Sequence, residues 1–258
     1  MKTVMIGAGN VATHLGEALT AAGHEVLQVM SRTQTSAERL AGRVGAEPLT
    51  DAAQLRRDAD VCICAVSDDA LTALVPQLCQ GREDMVFLHT AGSVPMSVFE
   101  GHAHRYGVLY PMQTFSKQRA VDMSEVPCFI EANDEATLRV VEQLARSVSR
   151  RVSVLSSAER RYLHLSAVFA NNFVNHCYTM AAELLERHGL PFDTLLPLID
   201  ETARKVHTLS PREAQTGPAV RGDRRVVEAQ RCLLADTPEL QQVYDVMARS
   251  IMSLKEYD

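Results

Sequence analysis

The 258-residue sequence has no excess of positive charge, no long apolar run and no C-x-x-C pair, and each absence removes a class of function. Lysine and arginine number 26 against 32 aspartates and glutamates, for a net charge of −6. A general nucleic-acid binder grips phosphate backbones with clustered cations, so that class is set aside. No apolar stretch reaches the roughly 18 residues that a membrane-spanning helix needs. Gly7 to His14 interrupts any signal-peptide core, and the expected location is the cytoplasm. The cysteines at positions 62, 64, 79, 128, 177 and 232 mostly sit in apolar settings, as buried reduced thiols do. His102 and His104 form an H-x-H on which no acidic or cysteine cluster converges, so a surface loop is expected there and no metal site. Tryptophan, internal repeats and low-complexity tracts are also absent.

What is present is an ordinary globular composition, 46% hydrophobic and 22% charged, in a chain long enough for one large or two modest cores. Up to residue 155, β-rich runs alternate with helical patterns. TVMIGAG, HEVLQVMS, DVCICAVS, DMVFLHTAG, YGVLYP and PCFIEA read as strands, ended by Gly, Ser, Pro or acidic residues. NVATHLGEALTAAG, TSAERLAGRV and DDALTALVPQLCQG read as helices between the early ones. This alternation predicts a mostly parallel sheet with helices on both faces. After RRVSVLS the β signal stops. Ser156 and Glu159 form an S-x-x-E capping box that opens a helix expected to run to His188 and Gly189. Further helices are expected over PFDTLLPLIDETARKVHTL, RRVVEAQRCLL and TPELQQVYDVMARSIMSL, with AQTGPAVRGD as a loop. The expected organisation is an α/β domain over 1–155 and an all-α domain over 156–258.

The opening MKTVMIGAGNVATHLGEAL has the form strand, G-x-G-x-x-A, helix. Gly7 permits the tight turn, Gly9 lets a pyrophosphate approach the backbone, and Ala12 lets the helix pack closely on the sheet. Asn10 and Val11 begin that helix, whose free N–H groups favour an anion. This reads as the glycine loop of a Rossmann-type dinucleotide site, the alternative being a glycine turn with no ligand. An NAD site places an acid at the end of the second strand, roughly 20 residues past the glycines, for the ribose 2′-hydroxyl. Here VMSRTQTS has no acid until Glu38, and Ser31, Arg32 and Thr33 suit a 2′-phosphate instead. NADP(H) is the expected cofactor.

Ligands of such sheets lie outside the carboxyl ends of the strands. Val66 and Ser67 end the third predicted strand, where Ser67 and Asp68 serve either as helix caps or as ligand contacts. Thr90, Gly92 and Ser93 follow the fourth and offer hydroxyls and a close-approach backbone to a carboxylate or carbonyl. Gln113 and Thr114 follow the fifth, as substrate contacts or loop hydrogen bonds. On the long helix, His164 and Asn171 share a face in an ideal helix, with Asn172 close by. His164 is either a proton donor, with an Asn orienting the substrate, or a satisfied histidine between helices. Arg221, in TGPAVRGD, binds a substrate carboxylate or a neighbouring subunit, and Asp223 can cap the next helix.

IGAGNVATHLGEAL, SRT, LYPMQTFSK, SAVFANNFVNH and TGPAVRGD together resemble a family of Rossmann-like NADP oxidoreductases with a helical C-terminal domain of unknown function. The likeness spans essentially the whole chain. More distantly the sequence is similar to pyrroline-5-carboxylate reductase, deazaflavin-dependent NADP reductase and the 6-phosphogluconate dehydrogenase superfamily. Gly7, Gly9, Ala12 and Arg32 match the dinucleotide pattern, and His164 and Asn172 match polar positions of the long helix. The resemblance implies a homodimer built from the C-terminal helices, with the active site between the domains. Several relatives place a lysine on that helix, whereas the lysines here are Lys2, Lys117, Lys205 and Lys255. The expected activity is reduction of a small carbonyl or imine by NADPH, with His164, Asn171 and Asn172 catalytic. The alternative is a dinucleotide-binding sensor or scaffold without catalysis.

Overall fold

The structure is a computed structural model that describes residues 1–254. The chain forms two compact units, Met1–Asn171 and a second unit from Asn172 onward. In chain order, the first unit contains β1 (Lys2–Ile6), α1 (Asn10–Ala21), β2 (Glu25–Met30), α2 (Gln34–Val44), β3 (Glu47–Leu49), β4 (Val61–Cys64), α3 (Asp68–Cys79) and β5 (Val86–His89). These are followed by β6 (Arg105–Pro111), β7 (Cys128–Ala132), α4 (Glu135–Val148), β8 (Val152–Val154) and α5 (Ser157–Ala167).

The strands form one sheet in the order β3-β2-β1-β4-β5-β6-β7-β8. All neighbours run parallel except β6 and β7, so this is the expected mostly parallel, Rossmann-type sheet. The strand order reverses between β1 and β4, which opens a crevice at their carboxyl ends. Side chains alternate between two cores. Met5, Val61, Ile63, Val86 and Leu88 face the side packed by α1, α2 and α4. Val4, Ile6, Cys62, Cys64 and Phe87 face Leu71, Val75 and Leu78 of α3. The sequence pattern does not mark β3. It is three residues long and contains Pro48, which a strand tolerates at the edge of a sheet, where β3 lies.

The Ser156–Glu159 capping box is formed and opens α5. The uninterrupted helix expected to His188 and Gly189 is not observed. Residues Val168–Phe173 wind as a π-helix, followed by α6 (Val174–Arg187). The second unit continues with α7 (Leu196–Lys205), α8 (Pro218–Arg221), α9 (Arg224–Cys232) and α10 (Pro238–Met252). The segment expected as a plain loop therefore holds one helical turn, α8. Gly217 at φ 111° and Gly222 at φ 73° bracket it, and Pro218 starts it. Asp223 caps α9, accepting the Val226 N–H at 3.2 Å. Among the described residues of the second unit, only Leu234 and Ala248 are buried, while Leu198, Leu233, Val246 and Met247 are exposed.

Candidate functional site

The glycine loop follows β1 and is shaped by contacts that only glycine permits. Gly7 has φ +109°, and a Cβ there would lie 2.2 Å from the Ala65 carbonyl oxygen. Its N–H donates to the Met30 carbonyl at 2.7 Å, which ties the turn to the end of β2. A Cβ on Gly9 would meet nothing within 4 Å, so the space in front of this residue is open. Gly9 is the N-cap of α1, no side chain caps that helix, and no acidic residue occupies its first turn. The side chain of Asn10, the first residue of α1, donates to the Phe115 carbonyl at 2.8 Å. The α1 N-terminus thus presents uncapped N–H groups and its positive dipole end to open space. Ala12 is fully buried and packs against the sheet, with Val11 half-buried beside it.

A cleft of about 690 Å³ begins at this loop. Its lining includes Gly7 and Gly9 after β1, Ser31, Arg32 and Thr33 after β2, and Val66 and Ser67 after β4. Among the described residues lining it, Arg32 is charged and none is acidic. Thr33 caps α2, accepting the Ser36 N–H, and its hydroxyl donates to Ser36 Oγ at 2.8 Å. Ser67 stands at the N-cap of α3, but its side chain makes no capping bond. The uncapped anion-binding helix end, the missing Cβ at Gly9 and the Arg32 cation fit a dinucleotide with an extra phosphate.

A second group of residues gathers at the carboxyl ends of β5 and β6. His164 of α5 lies against Gly92, where a Cβ would fall 2.4 Å from the ring Nδ1. The close approach allowed by Gly92 therefore serves a protein side chain. Nδ1 of His164 hydrogen-bonds the Tyr110 hydroxyl at 3.0 Å, with the two rings edge to face. One helical turn earlier, Arg160 is 1% exposed. Its guanidinium donates to Glu131 on β7 at 2.7 Å, to the Val94 carbonyl at 2.6 Å and to Ser157 Oγ at 3.1 Å. Glu131 also accepts from the Ser157 N–H and hydroxyl. This buried ion pair clamps the first turn of α5 to the sheet and so sets the ring of His164.

The Arg160 charge reaches two neighbours. Burial pushes the Tyr110 phenol upward, and Arg160 opposes the shift. His89, buried at the end of β5, is pushed down to about 3 by burial and then by Arg160. It is held neutral, with Nδ1 accepting the Ala91 N–H at 3.1 Å. The sequence alone does not single out Tyr110, Arg160 or Glu131. Tyr110 sits within an apolar strand run, and Arg160 follows a capping box where a solvated cation is the ordinary reading. The available signal is i,i+4 spacing, which puts Arg160 and His164 on one face.

The remaining sequence-derived candidates disperse. Thr90 directly follows β5, its N–H donating to the Cys64 carbonyl at 3.1 Å. The Ser93 hydroxyl donates to the Asp68 carboxylate. Gln113 Oε1 accepts the N–H of Thr114, and neither residue lines the cleft that begins at the glycine loop. Asn171 and Asn172 lie in the π-helical turn, whose wider winding removes the ideal-helix phase relative to His164. Arg221 ends α8 and is exposed in the second unit. Among the described residues, no group of three or more metal-binding side chains is placed to hold an ion, and no helix is long and apolar enough to cross a membrane.

Comparison with known proteins agrees with this architecture. Residues 1–112 match the Rossmann-like domain, and residues 126–251 match the Domain of unknown function (DUF2520). None of the curated proteins matches the chain. The putative NADP oxidoreductase BF3122 from Bacteroides fragilis is 49% identical, with 98% of each chain covered and a TM-score of 0.94. At the level of fold alone, an imine reductase from Myxococcus stipitatus in complex with NADP+ is similar at 13% identity. That match covers 99% of this chain and 93% of the other, with a TM-score of 0.68. The 1-pyrroline-5-carboxylate reductase from Streptococcus pyogenes matches at 13% identity over 98% of both chains, with a TM-score of 0.63. The chain belongs to the family of Rossmann-like proteins that carry the DUF2520 domain at the C-terminal side.

Proposed function

We propose that the protein is an NADP(H)-dependent oxidoreductase that reduces a small carbonyl or imine. The observation that carries the reading is the cleft in front of α1. It takes in the uncapped α1 N-terminus, the open space at Gly9, and Ser31, Arg32 and Thr33, with no acid among the described residues that line it. An acid after β2 would suit an unmodified ribose, whereas Arg32 suits a 2′-phosphate. The 49% identity to an NADP oxidoreductase by name, and the fold shared with an imine reductase holding NADP+, support the same choice.

NADPH, when bound, supplies the hydride. The chain supplies orientation and a proton. In its imidazolium form, with Nδ1–H donating to the Tyr110 hydroxyl 3.0 Å away, His164 would release its Nε2 proton to a developing alkoxide or amine and be left as the neutral ring. Gly92 and the Arg160–Glu131 pair hold the ring in place, and Thr90 offers a hydroxyl at the same strand end. Ser93 is engaged by Asp68 and is a weaker candidate for a substrate carboxylate. Asn171, in the π-helical turn at the end of the first unit, is the candidate for orienting substrate, since this type of distortion is frequent at functional sites. The exposed apolar side chains of the second unit support a homodimer built from its helices.

The chemical role is tested with His164→Ala against a panel of cyclic imines and small ketones. NADPH affinity should stay within about twofold of the wild type, while turnover should fall by about a hundredfold, the size of a general-acid contribution. Unchanged turnover would remove His164 from the mechanism. A wild-type protein that binds NADPH yet oxidises it with no member of the panel would favour the sensor reading.

A further inference from the structure

We propose that Lys117 is a positioning residue for the dinucleotide, fixing and polarising the Ala8–Gly9 peptide so that the Gly9 N–H is presented to the pyrophosphate. The inference rests on the NADP(H) reading of the cleft. Lys117 lies in the loop after β6, far from the glycine loop in sequence, yet its ammonium donates to the Ala8 carbonyl at 2.7 Å. In a trans peptide the C=O and N–H point in opposite directions, so fixing the Ala8 oxygen on Lys117 aims the Gly9 N–H the other way. Ala8 and Gly9 both line the dinucleotide cleft. The Gly9 N–H has no backbone partner among the described residues, and the space in front of Gly9 is open. A cation on the carbonyl of a peptide strengthens its N–H as a donor, through the same polarisation that makes hydrogen-bond chains cooperative.

The placement of Lys117 is built rather than incidental. The two residues before it are held on the start of α1. The Asn10 side chain donates to the Phe115 carbonyl at 2.8 Å, and His14 Nε2 lies 3.0 Å from the Ser116 carbonyl. The His14 ring also stacks on Phe115 with centroids 5.1 Å apart. Residues 115–117 therefore form a strap across the first turns of α1, and the ammonium is delivered to the back of the glycine loop. Two of its three N–H donors remain after the Ala8 contact, and its full charge adds to the positive end of the helix.

The test uses calorimetric titration of the full chain with two probes, NADPH and adenosine 2′-monophosphate, which has the 2′-phosphate but no pyrophosphate. Lys117→Met should bind NADPH about tenfold more weakly, as expected for loss of a charge-assisted contact. It should bind adenosine 2′-monophosphate within about twofold of wild type, and Lys117→Arg should recover most of the NADPH affinity. If Lys117→Met does not fold, Lys117→Gln takes its place, with the same expected direction. Unchanged NADPH affinity in the neutral variant overturns the proposal. So does an equal loss for both probes, which would mark a general distortion of the loop. Failure of the wild type to bind NADPH is a different result and overturns the reading of the cleft itself.

Discussion

His89 shows how one buried side chain ties the sheet to solution conditions. The ring is buried, and its folded-state value is about 3 against an ordinary 6.5. Between those values the unfolded chain binds a proton that the folded chain does not. Stability from this group is therefore complete above pH 6.5 and is lost as the pH falls toward 3, at up to about 1.4 kcal/mol per unit. In urea titrations, wild type should lose about 2 kcal/mol more than His89→Gln between pH 6.5 and 5. Parallel profiles would show that His89 is not held neutral. The sequence displays this histidine only as the last letter of an apolar strand, because burial and the nearby Arg160 charge arise from elements 70 residues apart. Gly7, Gly9 and Ala12 are legible for the opposite reason: their tasks are set by the local turn, and the spacing alone encodes them.

At the scale of elements, apolar runs ended by Gly, Ser, Pro or acidic residues place six strands, and the capping box places the start of α5. Four features escape that reading, one of them the three-residue β8. β3 is too short to show a period, and α8 depends on two glycines at positive φ that sequence patterns cannot assign to a helix. The π-helical turn at Val168–Phe173 has no one-residue signature, yet it rephases Asn171 and Asn172 relative to His164. What fixes α5 on the sheet is equally non-local. Arg160 on α5 and Glu131 on β7 meet only in the folded chain, and breaking such a buried pair typically costs about 3–5 kcal/mol. Sequence reading thus locates the helix that carries His164, and the ion pair explains why the ring faces Tyr110 and Gly92.

At the scale of the molecule, the first unit closes two cores around its sheet, while α5 and the second unit leave large apolar side chains exposed. Leu198 is 64% exposed and Leu233 is 80% exposed. Burying one such leucine is worth about 1.5–3 kcal/mol, so a surface bearing several favours association. Light scattering after size exclusion should give twice the 28.4 kDa chain mass, and a monomer at micromolar concentration would contradict the dimer. In the proposed function the α1 cleft holds a dinucleotide bearing a 2′-phosphate. Calorimetric titration of wild type and Arg32→Ala with NADPH and NADH tests it most directly. Wild type should prefer NADPH, and Arg32→Ala should lose about tenfold or more in NADPH affinity with little change for NADH, as for a guanidinium paired to phosphate. Equal binding of both nucleotides by wild type, or of neither, would contradict it.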